Sequence, residues 1–67
     1  MFTVTLEASR VNAGLSQSQL AEILGVNRAT VRNWETGKGS IPATALKKLS
    51  ELSGIPMDFI FVPERVN

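Results

Sequence analysis

The chain has 67 residues, 43% of them apolar, and a formal net charge of +1, so it can enclose one small hydrophobic core with little stability to spare. It contains no cysteine and no histidine, which excludes a disulfide framework and the usual zinc ligands and leaves only carboxylates as metal donors, in no recognisable arrangement. No apolar run approaches the length of a membrane span, and the N-terminus has neither the basic region nor the long apolar core of a signal peptide; a cytoplasmic protein with no membrane partner and no cofactor is expected.

The small net charge is segregated along the chain. Residues 1–25 carry Arg10 against Glu7 and Glu22, residues 26–50 carry Arg28, Arg32, Lys38, Lys47 and Lys48 against Glu35, and residues 51–67 carry Arg65 against Glu51, Asp58 and Glu64. The middle third therefore stands at +4 between flanks at −1 and −2, the distribution that matters for an anionic partner. For Lys47 and Lys48, solvation of a helix face is an equal account.

Taken in order, the first element is a helix capped by Thr3 or Thr5, with Glu7 complementing the positive end of its dipole. Leu6, Val11 and Val4 are its apolar residues, and it stops near Gly14. Ser16 and Gln19 form a capping box for a second short helix, with Leu20, Ala21, Ile23 and Leu24 inward, Gln17, Ser18 and Glu22 outward, and a turn at Gly25. Asn27 then caps a third helix. At about 100° per residue, Arg28, Ala29, Arg32 and Asn33 share one face of it while Val31 and Trp34 lie on the opposite one.

Thr36 and Gly37 close that helix, and Lys38, Gly39, Ser40 and Ile41 form a loop. Pro42 belongs in the first turn of a fourth helix, which has Ala45, Leu46, Leu49 and Leu52 inward, Lys47, Lys48 and Glu51 outward, and a stop at Gly54. Ile55, Pro56 and Asp58 introduce a last helical turn with Phe59, Ile60 and Phe61, and an irregular tail begins at about residue 62. The expectation is an all-α fold, a compact bundle of about five short helices forming one unit over residues 1–67.

A short helix with apolar anchors behind and two guanidiniums and an amide in front is built to be pressed against something. Arg and Asn are the side chains that bind guanine and adenine edges bidentately in a DNA major groove. Trp34 could stack on a base, but its place opposite Arg28 and Arg32 assigns it to the core. An enzyme is not expected: without histidine, cysteine or tyrosine the remaining bases are carboxylates and lysines in no catalytic arrangement. The Gly37, Lys38, Gly39 triplet lacks the spacing of a phosphate-binding loop.

Residues 16–37, SQSQLAEILGVNRATVRNWETG, resemble the helix-turn-helix of phage repressor and Cro proteins and of the wider xenobiotic-response-element (XRE) family of bacterial regulators. The matching residues are Gln17, Leu20, Ala21, Leu24, Gly25, Val26, Val31, Trp34, Glu35, Gly37 and Lys38, with Arg10 before them and Leu46, Leu49, Leu52 and Gly54 after. The resemblance covers nearly the whole chain, to about Phe61. Two departures stand out: family members often have an apolar residue where this chain has Ser9, and their loop after the third helix is richer in basic residues and places its proline earlier.

The resemblance implies a lambda-repressor-like domain that binds double-stranded DNA sequence-specifically and regulates transcription. It implies base contacts from Arg28, Ala29, Arg32 and Asn33, backbone contacts from Gln17, Asn27, Lys38 and Ser40, and a structural ion pair between Arg10 and Glu35. A homodimer on a palindromic operator is expected, assembled either free or only on DNA, with Phe59, Phe61 and Val62 as the apolar surplus for its interface. No small-molecule ligand is implied. The rival reading is a protein-interaction module, an antitoxin-like regulatory subunit, in which the same fold holds a partner protein.

Overall fold

The computed structural model describes residues 3–62. In chain order they form strand β1 (Val4–Thr5), helices α1 (Leu6–Asn12), α2 (Gln17–Leu24), α3 (Arg28–Thr36) and α4 (Ala43–Ser53), a 3₁₀ turn (Met57–Phe59) and strand β2 (Ile60–Phe61). The fold is thus mostly helical, with four α-helices where about five helices were expected. The difference lies at its two ends.

Thr5, rather than Thr3, caps α1: its extended backbone aims the side-chain oxygen at the backbone N–H of Ala8, 3.0 Å away. Val4 then belongs to no helix. It pairs in parallel with Ile60, as Thr5 does with Phe61. The expected last helical turn accordingly survives only over Met57–Phe59. Beyond it the burial period changes to two, with Ile60 and Val62 inward at 5% and 7% exposure and Phe61 outward, which extended backbone satisfies and a helix does not. Val62 follows β2 without regular structure, yet its side chain belongs to the core; Pro63 onward lie outside the described residues.

Three apolar residues expected inside are exposed. On α1 the buried arc is Leu6, Ser9 and Arg10, and Val11 lies about 100° beyond its edge; it is 60% exposed. On α2 the buried pair is Leu20 and Ala21, with Leu24 half-buried between their directions, and Ile23 is rotated off this arc at 46% exposure. Leu52 is 38% exposed because it sits at the edge of the Ala45, Leu46, Leu49 arc in the last turn of α4, where the packed neighbours run out. Pro42 stands one place earlier than expected. It is the residue before α4, extended at ψ 151, and its carbonyl accepts from the backbone N–H of Leu46 at 3.0 Å.

The core forms where α2 packs on α3 and α1 on α4. Val31, Leu46 and Leu49 are each 1% exposed, with Leu6, Leu20, Trp34 and Ile41 around them. Ser9, at a position the family often fills with an apolar side chain, is fully buried and satisfied: its hydroxyl donates to the Thr5 carbonyl at 3.0 Å. No helix among the described residues is long and apolar enough to cross a membrane. Nor do those residues bring together a carboxylate cluster able to hold a metal ion.

Trp34 is the largest side chain in this core, at 7% exposure. Removing a buried aromatic costs about 3 to 5 kcal/mol, close to the whole stability of a chain this short. Trp34→Ala is expected to unfold the protein or leave it marginal, as read by thermal or urea denaturation. Native-state fluorescence of the parent should be blue-shifted and resistant to iodide; a spectrum like that of free tryptophan would contradict the burial.

Candidate nucleic-acid interface

The candidate surface is built from α2, the turn and α3. Ser16 and Gln19 exchange both bonds of the capping box: the Gln19 N–H donates to Ser16 Oγ at 3.0 Å, and the Ser16 N–H to Gln19 Oε1 at 2.8 Å. Gly25 ends α2 in the left-handed conformation at φ +72, a backbone state other residues adopt at a cost. The Val26 N–H then reaches back to the Ala21 carbonyl at 2.9 Å. This turn sets α3 against α2, and the near-complete burial of the small Ala21 goes with the close packing of the two helices.

Asn27 occupies the cap position of α3 with extended backbone, and its carbonyl accepts from the N–H groups of Thr30 at 3.0 Å and Val31 at 3.4 Å. Its side chain, however, makes no capping bond. Asn27 is thus the cap residue of α3 as expected, acting through its backbone, and its side-chain amide is exposed. Along α3, Val31 and Trp34 point inward while Arg28, Ala29, Arg32 and Asn33 are all exposed. Among the described residues neither Arg28 nor Arg32 has a carboxylate in ion-pair range.

Gly37, at φ +81, closes α3, and the Lys38 N–H donates to the Asn33 carbonyl at 2.8 Å. That bond fixes the backbone from which Lys38 projects. Lys38 and Ser40 are exposed in the connection to α4. Lys48, on the outer face of α4, lies 3.9 Å from Glu51 with both side chains more than half exposed. It is the solvated surface pair that charge on an outer helix face usually makes.

Behind α3 lies a buried polar network. Arg10 Nε donates to Glu35 Oε2 at 2.7 Å, Arg10 Nη1 donates to the Leu15 carbonyl at 2.9 Å, and Gln17 Nε2 donates to Glu35 Oε1 at 2.9 Å. The Arg10 and Glu35 side chains are only 11% and 6% exposed. Glu7, at 4.0 Å from Arg10 Nη2 and itself exposed, is a peripheral member. Among the described residues no buried side-chain nitrogen or oxygen lacks a partner.

The sequence model of the family described as helix-turn-helix matches residues 6–60, from α1 to the first residue of β2. The chain belongs to the XRE-type helix-turn-helix family. It is 35% identical over 60 residues to the SPbeta prophage-derived uncharacterised HTH-type transcriptional regulator YonR of Bacillus subtilis (strain 168), with 90% of this chain and 56% of that protein covered. It is 34% identical over 65 residues to the HTH-type transcriptional activator BcrR of Enterococcus faecalis, covering 97% of this chain and 32% of the relative. An uncharacterised HTH-type transcriptional regulator of Sinorhizobium medicae (strain WSM419) is 31% identical over 52 residues, with 78% and 37% covered. The chain thus spans about half or less of the length of these relatives. No solved structure matches it significantly.

Within this helix-turn-helix, two features escaped the reading of the sequence. Thr36 was assigned only to closing α3, yet at about 100° per residue it falls within the arc of Ala29 and Arg32. It is exposed and donates its hydroxyl to the Arg32 carbonyl at 3.0 Å; the periodicity that picked out Arg32 would have found it. The Gln17–Glu35 bond joins residues 18 apart on different helices, for which the sequence carries no signal. Gln17, expected on the outward face as a backbone contact, is half-buried against Glu35.

Removing one partner of a buried ion pair strands the other, at a cost of about 3 to 5 kcal/mol, whereas removing both together often costs far less. Arg10→Met and Glu35→Leu are therefore expected each to destabilise strongly and to be non-additive in urea denaturation. A double-mutant cycle with coupling below about 0.5 kcal/mol would contradict the shared burial of the pair.

Proposed function

We propose that residues 3–62 act as one DNA-binding unit of a Cro- or repressor-like transcriptional regulator, phage or bacterial, which places α3 in the major groove of an operator half-site. The observation that carries this reading is the division of α3: Val31 and Trp34 are buried, and Arg28, Ala29, Arg32 and Asn33 are exposed, with no intramolecular ion pair on either arginine among the described residues. A helix seated on its neighbours by one face offers the other as a rigid reading edge. Arg28 and Arg32 contribute guanine contacts, Asn33 an adenine contact, and Ala29 an apolar contact with a thymine methyl.

Gln17, Asn27, Lys38 and Ser40 contact phosphates and set register without reading sequence. The free amide of Asn27 and the exposed side chains of Lys38 and Ser40 support that assignment. The charge of the middle third brings DNA in, and the acidic flanks keep the total low. Two copies bind a palindromic operator, with half-sites about 34 Å apart along the duplex. Phe59 and Phe61, 39% and 38% exposed, are the apolar contribution to their contact, and Val62, being buried, is withdrawn from it.

Base readers and phosphate holders should differ in kind when mutated. With a duplex selected from random DNA as target, Arg28→Ala or Arg32→Ala should weaken specific binding by about 1 to 3 kcal/mol and relax preference at one position per half-site. Lys38→Ala should weaken all sequences alike and flatten the salt dependence by about one unit of slope per lost phosphate contact. Arginine variants that keep the parental preference would make the α3 face a backbone clamp instead. Footprinting should show two protected half-sites related by a two-fold axis. One protein bound at saturation on a single asymmetric site would overturn the dimer.

A further inference from the structure

The Glu35 carboxylate is divided between two donors. Oε2 takes the Arg10 Nε–H and Oε1 takes a hydrogen from Gln17 Nε2. Gln17 is the first residue of α2, at the N-terminal end of that helix. An amide can turn either its oxygen or its nitrogen toward a neighbour, and the choice is usually an assignment. Here the partner decides it. A carboxylate paired with a guanidinium only accepts, so the nitrogen of Gln17 must face it. That nitrogen carries a second hydrogen, and among the described residues Glu35 is its one hydrogen-bond partner.

We propose that Glu35 is a positioning residue for binding to the DNA backbone. It holds the Gln17 amide nitrogen-inward, so that the second Nε2–H is presented at the start of α2 to a phosphate oxygen. Arg10 has a matching part: it cancels the Glu35 charge, which would otherwise repel that phosphate from close range. The network gives Gln17 one conformation before DNA arrives, and binding then costs no further ordering of a flexible side chain. The inference rests on the DNA-binding reading of α2 and α3 given above, and it adds to it a route by which a core ion pair sets affinity.

The test compares Gln17→Ala, Glu35→Gln, the two combined, and Arg10→Met/Glu35→Leu, which removes both charges where a lone change risks unfolding. Trp34 fluorescence confirms that each is folded, and affinity is measured on the selected duplex and on an unrelated one at fixed salt. Simple electrostatics says that losing a negative charge at Glu35 tightens DNA binding. The proposal expects the opposite: Gln17→Ala, Glu35→Gln and Arg10→Met/Glu35→Leu each bind both duplexes about tenfold more weakly, and combining Gln17→Ala with Glu35→Gln adds nothing further. The salt slope is expected to hold for Gln17→Ala, because that side chain carries no charge. In ¹⁵N spectra of the free parent, one Gln17 side-chain amide proton should be shifted and slow to exchange, and it should become ordinary in Arg10→Met/Glu35→Leu. A folded Glu35→Gln that binds as tightly as the parent, or effects of Gln17 and Glu35 that multiply, would overturn the positioning role. If Gln17→Ala is silent while Arg32→Ala weakens binding, the relay falls and the DNA-binding reading stands; if no duplex is selected at all, both fall.

Discussion

A carboxylate at 6% exposure is the constraint on which the helix-turn-helix depends. An ionised group taken out of water must recover its lost hydration from nearby donors, and Glu35 has two, one on α1 and one on α2, while it belongs to α3 itself. Arg10 also donates through Nη1 to the Leu15 carbonyl and approaches the exposed Glu7 through Nη2. Three helices and the link between the first two are thus referred to one point. Apolar contacts between helices tolerate sliding and rotation, whereas hydrogen bonds to a charged group are short and directional. A core this small fixes how close the helices are, and the network fixes their orientation.

The same arrangement explains how so short a helix presents a working surface. Isolated, the nine residues of α3 would be far below the length at which helices persist in water. The helix exists because Val31 and Trp34 are buried and because Gly37 and the Lys38 N–H end it cleanly. Its polar face is then free of structural duty. That separation means that a change in the exposed side chains of α3 need not disturb the core beneath them.

Much of this was legible in the sequence because it is local. The Ser16–Gln19 box, the turn at Gly25, the anchors Val31 and Trp34 and the exposed arc of Arg28 to Asn33 all follow from spacing over a few residues. The Arg10 and Glu35 pairing came from resemblance to a family, since nothing within 25 residues of chain joins them otherwise. The failures have physical causes. Val11, Ile23 and Leu52 are apolar residues near a buried arc but off its centre, and a chain this small has no second layer to cover them. Phe59–Phe61 carries a short apolar run that cannot distinguish a helical turn from an extended segment; the decision was made by a partner at the far end of the chain.

That partner gives the β1–β2 pair a particular standing. It joins residues 4–5 to residues 60–61, so almost the whole described chain is the loop it closes. Closing so long a loop carries an entropic charge that two residues of ladder cannot repay by themselves. The pairing must therefore wait until α1 and α4 have packed and brought the two ends within reach. Local helical contacts lead and this distant one follows, as topology dictates for contacts of wide sequence separation. It is a latch between the segment before α1 and the segment after α4, and Ile60 within it belongs to the same buried core as Leu20, Val31 and Trp34.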